Sequence, residues 1–139
     1  MTFILNILDD LYVSAIIVSG GDIDSMMDDK SVEVLHSDGT PWCSLPDLPA
    51  DRFQHSQTGL EACGGVDTVS GPVDTCIKFS GGKWKHSHKL KKNREGHSGW
   101  ASPAGTVLMG GTESGKRTEL LDATTGVSVM HFPLKYDTE

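Results

Sequence analysis

Short apolar runs alternate with turn residues along the whole chain, and three of them end in the same way. AIIVSGG, LEACGG and TVLMGG close on Gly20-Gly21, Gly64-Gly65 and Gly110-Gly111, at intervals of 44 and 46 residues. A repeat of that length sets the architecture before any single residue does. In the first unit, Phe3–Leu8 and residues 11–19 read as strands about an Asp9-Asp10 turn. Residues 22–30 read as a polar loop. Residues 31–36 alternate Val32, Val34 and His36 against Glu33 and Leu35, the period-two pattern of a strand. Asp38-Gly39 is a hairpin turn, since glycine accepts the positive φ that tight turns need. Residues 42–44 open a fourth strand that Pro46 and Pro49 stop, because proline has no N–H for a ladder. The predicted unit is therefore a four-stranded antiparallel meander.

The other intervals repeat this order. Thr75–Phe79 and Thr118–Leu121 follow the second and third diglycines, and each is followed by a turn at Gly81-Gly82 or Thr124-Thr125-Gly126. Trp42 and Trp84 lie 42 residues apart, and counting from the turn puts Val129 in the tryptophan place of the third unit. The connections match as well: Arg52-Phe53-Gln54-His55-Ser56 aligns with Arg94-Glu95-Gly96-His97-Ser98, again 42 residues apart. Residues 98–102 and 106–109 flank a Pro103-Ala104-Gly105 turn. The second unit is four residues shorter between His55 and Gly64 than the third is between His97 and Gly110. Its first hairpin is thus expected to be compressed or missing. Units of roughly 2–49, 50–91 and 92–135 result.

With these residues in register, the chain resembles the kelch repeat: Arg52, His55, Gly64, Gly65, Gly81 and Trp84, then Arg94, His97, Gly110, Gly111 and Gly126. The first copy has Gly20, Gly21, Gly39 and Trp42 but no matching arginine. The resemblance implies an all-β fold, a single partial β-propeller of about three four-stranded blades. Diglycines would sit where backbones crowd, and tryptophans would cover apolar area between blades. Complete propellers carry about 4–8 blades, so three would be part of a ring, a fragment of a larger propeller or half of an assembly completed by a second copy. Open blade edges would then invite self-association.

Composition narrows the partners. Net charge is −7, with nine acids and one base in residues 1–50 but seven Lys or Arg and no acid in residues 78–94. An acidic total disfavours nucleic acid. No apolar run approaches the roughly 20 residues that span a bilayer, and the first residues lack the basic start and cleavage site of a signal peptide. Three cysteines make no disulfide framework. Cys63 and Cys76 nevertheless face each other if their strands pair about the midpoint of 66–74. Two readings stay open: a bridge, implying an extracellular or other oxidising compartment, or two buried thiols in a cytoplasmic chain. Cys43 is left over.

Candidate chemistry is sparse. GGTESGKR at 110–117 comes near a phosphate loop, but Arg117 stands where Ser or Thr must hold magnesium, and no helix follows. His86 and His88 begin a metal pair on one strand face, yet Lys85 and Lys89 beside them repel a cation. Asp22, Asp24, Asp28 and Asp29 crowd one loop without calcium-site spacing. His55 and His97 recur at equivalent places, which points to structure, since a catalytic residue need occur only once. No catalytic set, cofactor site or metal site is expected. The resemblance implies a non-catalytic protein-interaction scaffold whose binding elements are the loops 22–30, 66–74 and 112–117, with the basic run 83–92 as a further surface. The alternative is part of a kelch-type enzyme similar to the copper galactose oxidases. Its Tyr and His ligands would lie outside this chain, whose tyrosines are only Tyr12 and Tyr136.

Overall fold

The computed structural model describes the chain except residues 1–2, 9–12, 24–26, 113–116, 126 and 132–139. It is all-β, with three four-stranded antiparallel sheets and one small ladder, none of them closed on itself. Sheet 1 holds β1 (Phe3–Leu8), β2 (Val13–Ile23), β3 (Met27–His36) and β4 (Cys43–Leu45) in that order. Sheet 2 holds β5 (Ser56–Thr58), β6 (Glu61–Cys63), β9 (Thr75–Ser80) and β10 (Lys83–Lys89). Between β6 and β9 the chain leaves to form the two-stranded ladder of β7 (Val66–Asp67) and β8 (Gly71–Pro72). Sheet 3 is β11 (Ser98–Ser102), β12 (Gly105–Met109), β13 (Thr118–Asp122) and β14 (Ser128–His131). Among the described residues no helix is long and apolar enough to cross a membrane.

Each sheet is built from one stretch of chain, so the repeat in the sequence is a repeat of sheets. Alternation puts every second side chain on each face, and the two faces meet different neighbours. Ala15, Ile17, Val32 and Val34 of sheet 1 form one buried cluster with Ala62 and Ile77 of sheet 2, and Trp84 packs against it. Cys63 and Cys76, on the other face of sheet 2, form a second cluster with Leu90, Leu108 and Leu121. Sheet 2 is thus covered on both faces. The first strands approach one another across the seams: a Cβ added at Gly99 of β11 would lie 2.9 Å from the Ser56 Cβ of β5. Only glycine leaves room there.

Several expectations need correction. Residues 22–30 are mostly paired strand, since Gly21, Asp22 and Ile23 face Asp29, Asp28 and Met27. Backbone ladders do not require apolar side chains, so polar composition alone misreads them as loop. The 66–74 loop carries the β7–β8 ladder, held at its tip by Asp67 Oδ1 accepting from Val69 and Ser70 N–H at 2.7 and 2.9 Å. The first hairpin of the second unit, by contrast, meets the expectation: it is compressed to three pairs, Ser56↔Cys63, Gln57↔Ala62 and Thr58↔Glu61.

The tryptophan place of the third unit belongs to Ser128, not Val129. Trp84 pairs with Phe79, three residues after Cys76, and the corresponding pair is Leu121↔Ser128, three residues after Thr118. Val129 pairs with Leu120 and lies on the opposite face, 42% exposed. The turn between β13 and β14 is longer than the one between β9 and β10, so counting from the turn misplaces the residue by one. Trp42 does not cover a seam either: it is 48% exposed, whereas Trp84 packs tilted against Phe79 with ring centroids 5.4 Å apart and donates its indole N–H to Pro46 O at 2.8 Å.

Candidate functional site: the seams between sheets

The Arg-x-x-His connection does the same work twice. In the first seam, Arg52 O accepts from Gly21 N–H at 3.2 Å, and His55 Nε2 meets Ser19 Oγ at 3.0 Å. Both contacts reach back to sheet 1. The guanidinium reaches forward: Arg52 Nη1 donates to Gly64 O and Thr75 O at 2.7 and 2.8 Å. In the second seam, Arg94 O accepts from Gly65 N–H at 2.6 Å, and His97 Nε2 meets Ser56 Oγ at 2.9 Å. Arg94 Nη1 donates to Gly110 O and Arg117 O at 2.8 and 3.0 Å. Each connection therefore ties two consecutive sheets through one backbone carbonyl, one imidazole and one guanidinium.

The diglycines make that approach feasible. A Cβ on Gly20 (φ +59) would stand 2.2 Å from Arg52 O, and one on Gly64 (φ +62) would stand 2.5 Å from Arg94 O and 2.7 Å from His97 Cε1. Gly65 and Gly111 are equally tight, against Phe53 O at 2.6 Å and Glu95 O at 2.8 Å. Gly21 meets nothing within 4 Å and is needed for its φ of +134 alone.

The two seams differ in one respect. His55 takes its partner from Ser19, next to the diglycine, but the residue at that place in sheet 2 is Cys63, and its cross-strand neighbour Ser56 serves His97 instead. Cys63 is occupied by a disulfide to Cys76, with sulfurs 2.10 Å apart across the β6–β9 ladder. Glu61 lies close to both sulfurs. With the sulfurs joined there is no thiolate to offer a metal, so the group is a bridge beside a carboxylate. Opening a bridge with sequence separation 13 is expected to lower unfolding free energy by about 3 kcal/mol. Guanidinium melts of the Cys63→Ala/Cys76→Ala protein against the oxidised parent measure this, and an unchanged midpoint would show that the bond does not form. Cys43 is exposed and free.

Buried acids complete the second seam, and sequence reasoning missed both. Glu119 accepts from Arg94 Nε at 3.0 Å, from Lys91 N–H at 2.6 Å and from the Ser128 hydroxyl, with both side chains of the ion pair fully buried. Glu61 accepts from Ser87 Oγ at 2.5 Å, bonds His88 Nδ1 at 2.9 Å and accepts from Thr106 Oγ1 of sheet 3 at 3.3 Å. An acid inside an apolar run, as in LEAC or TELL, is the available signal. Burial, with Arg52 beside it, pushes His55 down to about 3, and burial with Arg94 pushes His97 down to about 4. Both imidazoles are neutral in the folded chain near pH 7.

The two strand histidines separate: His86 is exposed, His88 turns to Glu61, and the ladder register shifts between His86 and Lys89. A short strand, β13, follows the 110–117 segment, and residues 113–116 lie outside the described residues, as do Asp24, Tyr12 and Tyr136. Two expected binding elements do converge. A cleft of about 490 Å³ opens where the 66–74 hairpin, through Asp67 and Ser70, meets the basic strand, through Trp84, Lys85 and His86, with Arg52 in its wall. The chain matches no protein-family model and no curated protein sequence.

Proposed function

We propose that the chain is a partial kelch-like β-propeller acting as a non-catalytic protein-interaction scaffold. The fold reading is supported by the twice-used Arg-x-x-His connection, which stacks consecutive four-stranded sheets with their first strands together. The observation that carries the function is the cleft of about 490 Å³, where a turn-tipped hairpin and a basic strand from the same unit come together on a braced sheet. Irregular connections on a rigid frame are where repeat folds place recognition. Lys83, Lys85 and Lys89 lie exposed along that strand, so a partner segment bearing acids fits it.

Trp84 lines the cleft and reports on it. Titrating an array of extended peptides, acidic and basic, is expected to shift tryptophan fluorescence with the acidic set only, and Lys85→Glu is expected to weaken that binding at least tenfold. Equal response to both sets, or binding indifferent to Lys85→Glu, would refute the cleft as the recognition surface.

A further inference from the structure

We infer that the two outer sheets dock on each other head to tail, so that two copies of this chain close one ring of six sheets; this rests on the propeller reading above. The two internal seams supply the template. In sheet 2 and sheet 3, the rear face is buried by the preceding sheet: Ala62 is 0% exposed, and Leu108 at the same register is also 0%. Val18 holds that register in sheet 1 and is only half-buried; it pairs with the exposed Glu33, and the same face carries Leu35, which stands where Phe79 does, and the exposed Trp42, which stands where Trp84 does.

The front face tells the same story from the other end. Ile17↔Val34 of sheet 1 is buried under sheet 2, and the corresponding pair in sheet 3 is Val107↔Leu120, half-buried. That pair belongs to a row crossing all four strands, Trp100–Val107–Leu120–Val129, whose ends are 59% and 42% exposed. A four-residue apolar row ending in an exposed tryptophan is unusual on a surface that meets only water.

The front of sheet 3 thus offers the apolar row that sheet 1 uses to bury sheet 2. The rear of sheet 1 offers the tryptophan that sheet 2 uses to bind sheet 1. The two surfaces fit each other and neither is self-complementary in this register, so the contact is heterologous. Such contacts form a closed ring when the rotation closes and a filament when it does not. Three sheets from each of two copies give six, within the 4–8 that propellers close. A second copy is the occupant whose surfaces match both ends at once.

Light scattering on the purified chain is expected to give twice the 14.9 kDa chain mass. Trp100→Lys spoils only the front and Trp42→Lys only the rear, and both sites are exposed enough that far-ultraviolet circular dichroism should stay unchanged. Each variant alone is expected at single-chain mass, since every front–rear contact then contains one charged side. An equimolar mixture is expected to recover the doubled mass, because one front–rear contact is intact in the mixed pair. A parent chain of single mass overturns the inference. So does either variant that still doubles alone, which would mean front-to-front or rear-to-rear pairing, and so does a mass growing with concentration beyond two copies. A single-mass parent that still binds acidic peptides through Trp84 would leave the scaffold reading standing.

Discussion

Replacing Arg94 by alanine lowers the unfolding free energy by about 3–5 kcal/mol. Its guanidinium and the Glu119 carboxylate are both fully buried, 3.0 Å apart. Removing the cation leaves the carboxylate with Lys91 N–H and the Ser128 hydroxyl only, in a medium where charge is costly. Two carbonyls, Gly110 O and Arg117 O, lose a donor in the same step. Arg52→Ala should cost less, about 1–3 kcal/mol, because its acceptors are the neutral Gly64 and Thr75 groups. Arg94→Lys should fall short of full rescue, since a compact ammonium cannot present the planar fork that spans the carboxylate and both carbonyls. Urea melts read all three. A loss under about 1 kcal/mol for Arg94→Ala, the value of an exposed pair, would mean that the second seam is open to water.

Acidification from pH 7 to pH 5 is expected to remove about 4 kcal/mol, near 2 from each of His55 and His97. The sign follows from the depressed folded values of about 3 and about 4. Above the unfolded value near 6.5 both states are neutral and stability is whole. Below it the unfolded chain takes up protons that the buried imidazoles refuse, and stability falls until pH passes the folded values. Asp38 and Asp122 do not blur this window. Backbone N–H groups of Thr40 and Thr125 hold their carboxyls below the ordinary range, and such groups lose their contribution only under about pH 4. The His55→Gln/His97→Gln protein should be less stable at pH 7 but nearly flat between pH 7 and 5. An equally steep loss in that variant would move the titration elsewhere.

The sheets were legible in sequence because each carries its own punctuation. Diglycine after an apolar run marks the end of the second strand in sheets 2 and 3 and a register shift within it in sheet 1, and the matching Arg-x-x-His marks the connection. The Cys63–Cys76 alignment followed from register alone, although nothing in the residues decided between a bridge and two thiols. What was hidden is whatever depends on the neighbouring sheet. Glu61 and Glu119 belong to no motif in the sequence, and their roles emerge only with Thr106 of sheet 3 and the connecting Arg94 against them. Trp42 and Trp84 look alike in sequence, yet Trp84 lies against sheet 1 and its connection while Trp42 is 48% exposed. Counting from the turn points to Val129 rather than Ser128 because the β13–β14 turn is longer than the β9–β10 turn. The buried site instead carries a hydroxyl that serves Glu119.

The central claim is that each Arg-x-x-His connection stitches two consecutive sheets at a diglycine, and nuclear Overhauser spectroscopy tests it most directly. The account predicts cross-peaks from the His55 ring Hε1 to Gly20 Hα and from the His97 ring Hε1 to Gly64 Hα, the close approaches seen at both seams. Both cross-peaks together would place the imidazoles against the preceding sheets. Ring protons with no contact to either glycine, in a chain that is otherwise β-rich, would contradict the stacking and with it the propeller reading.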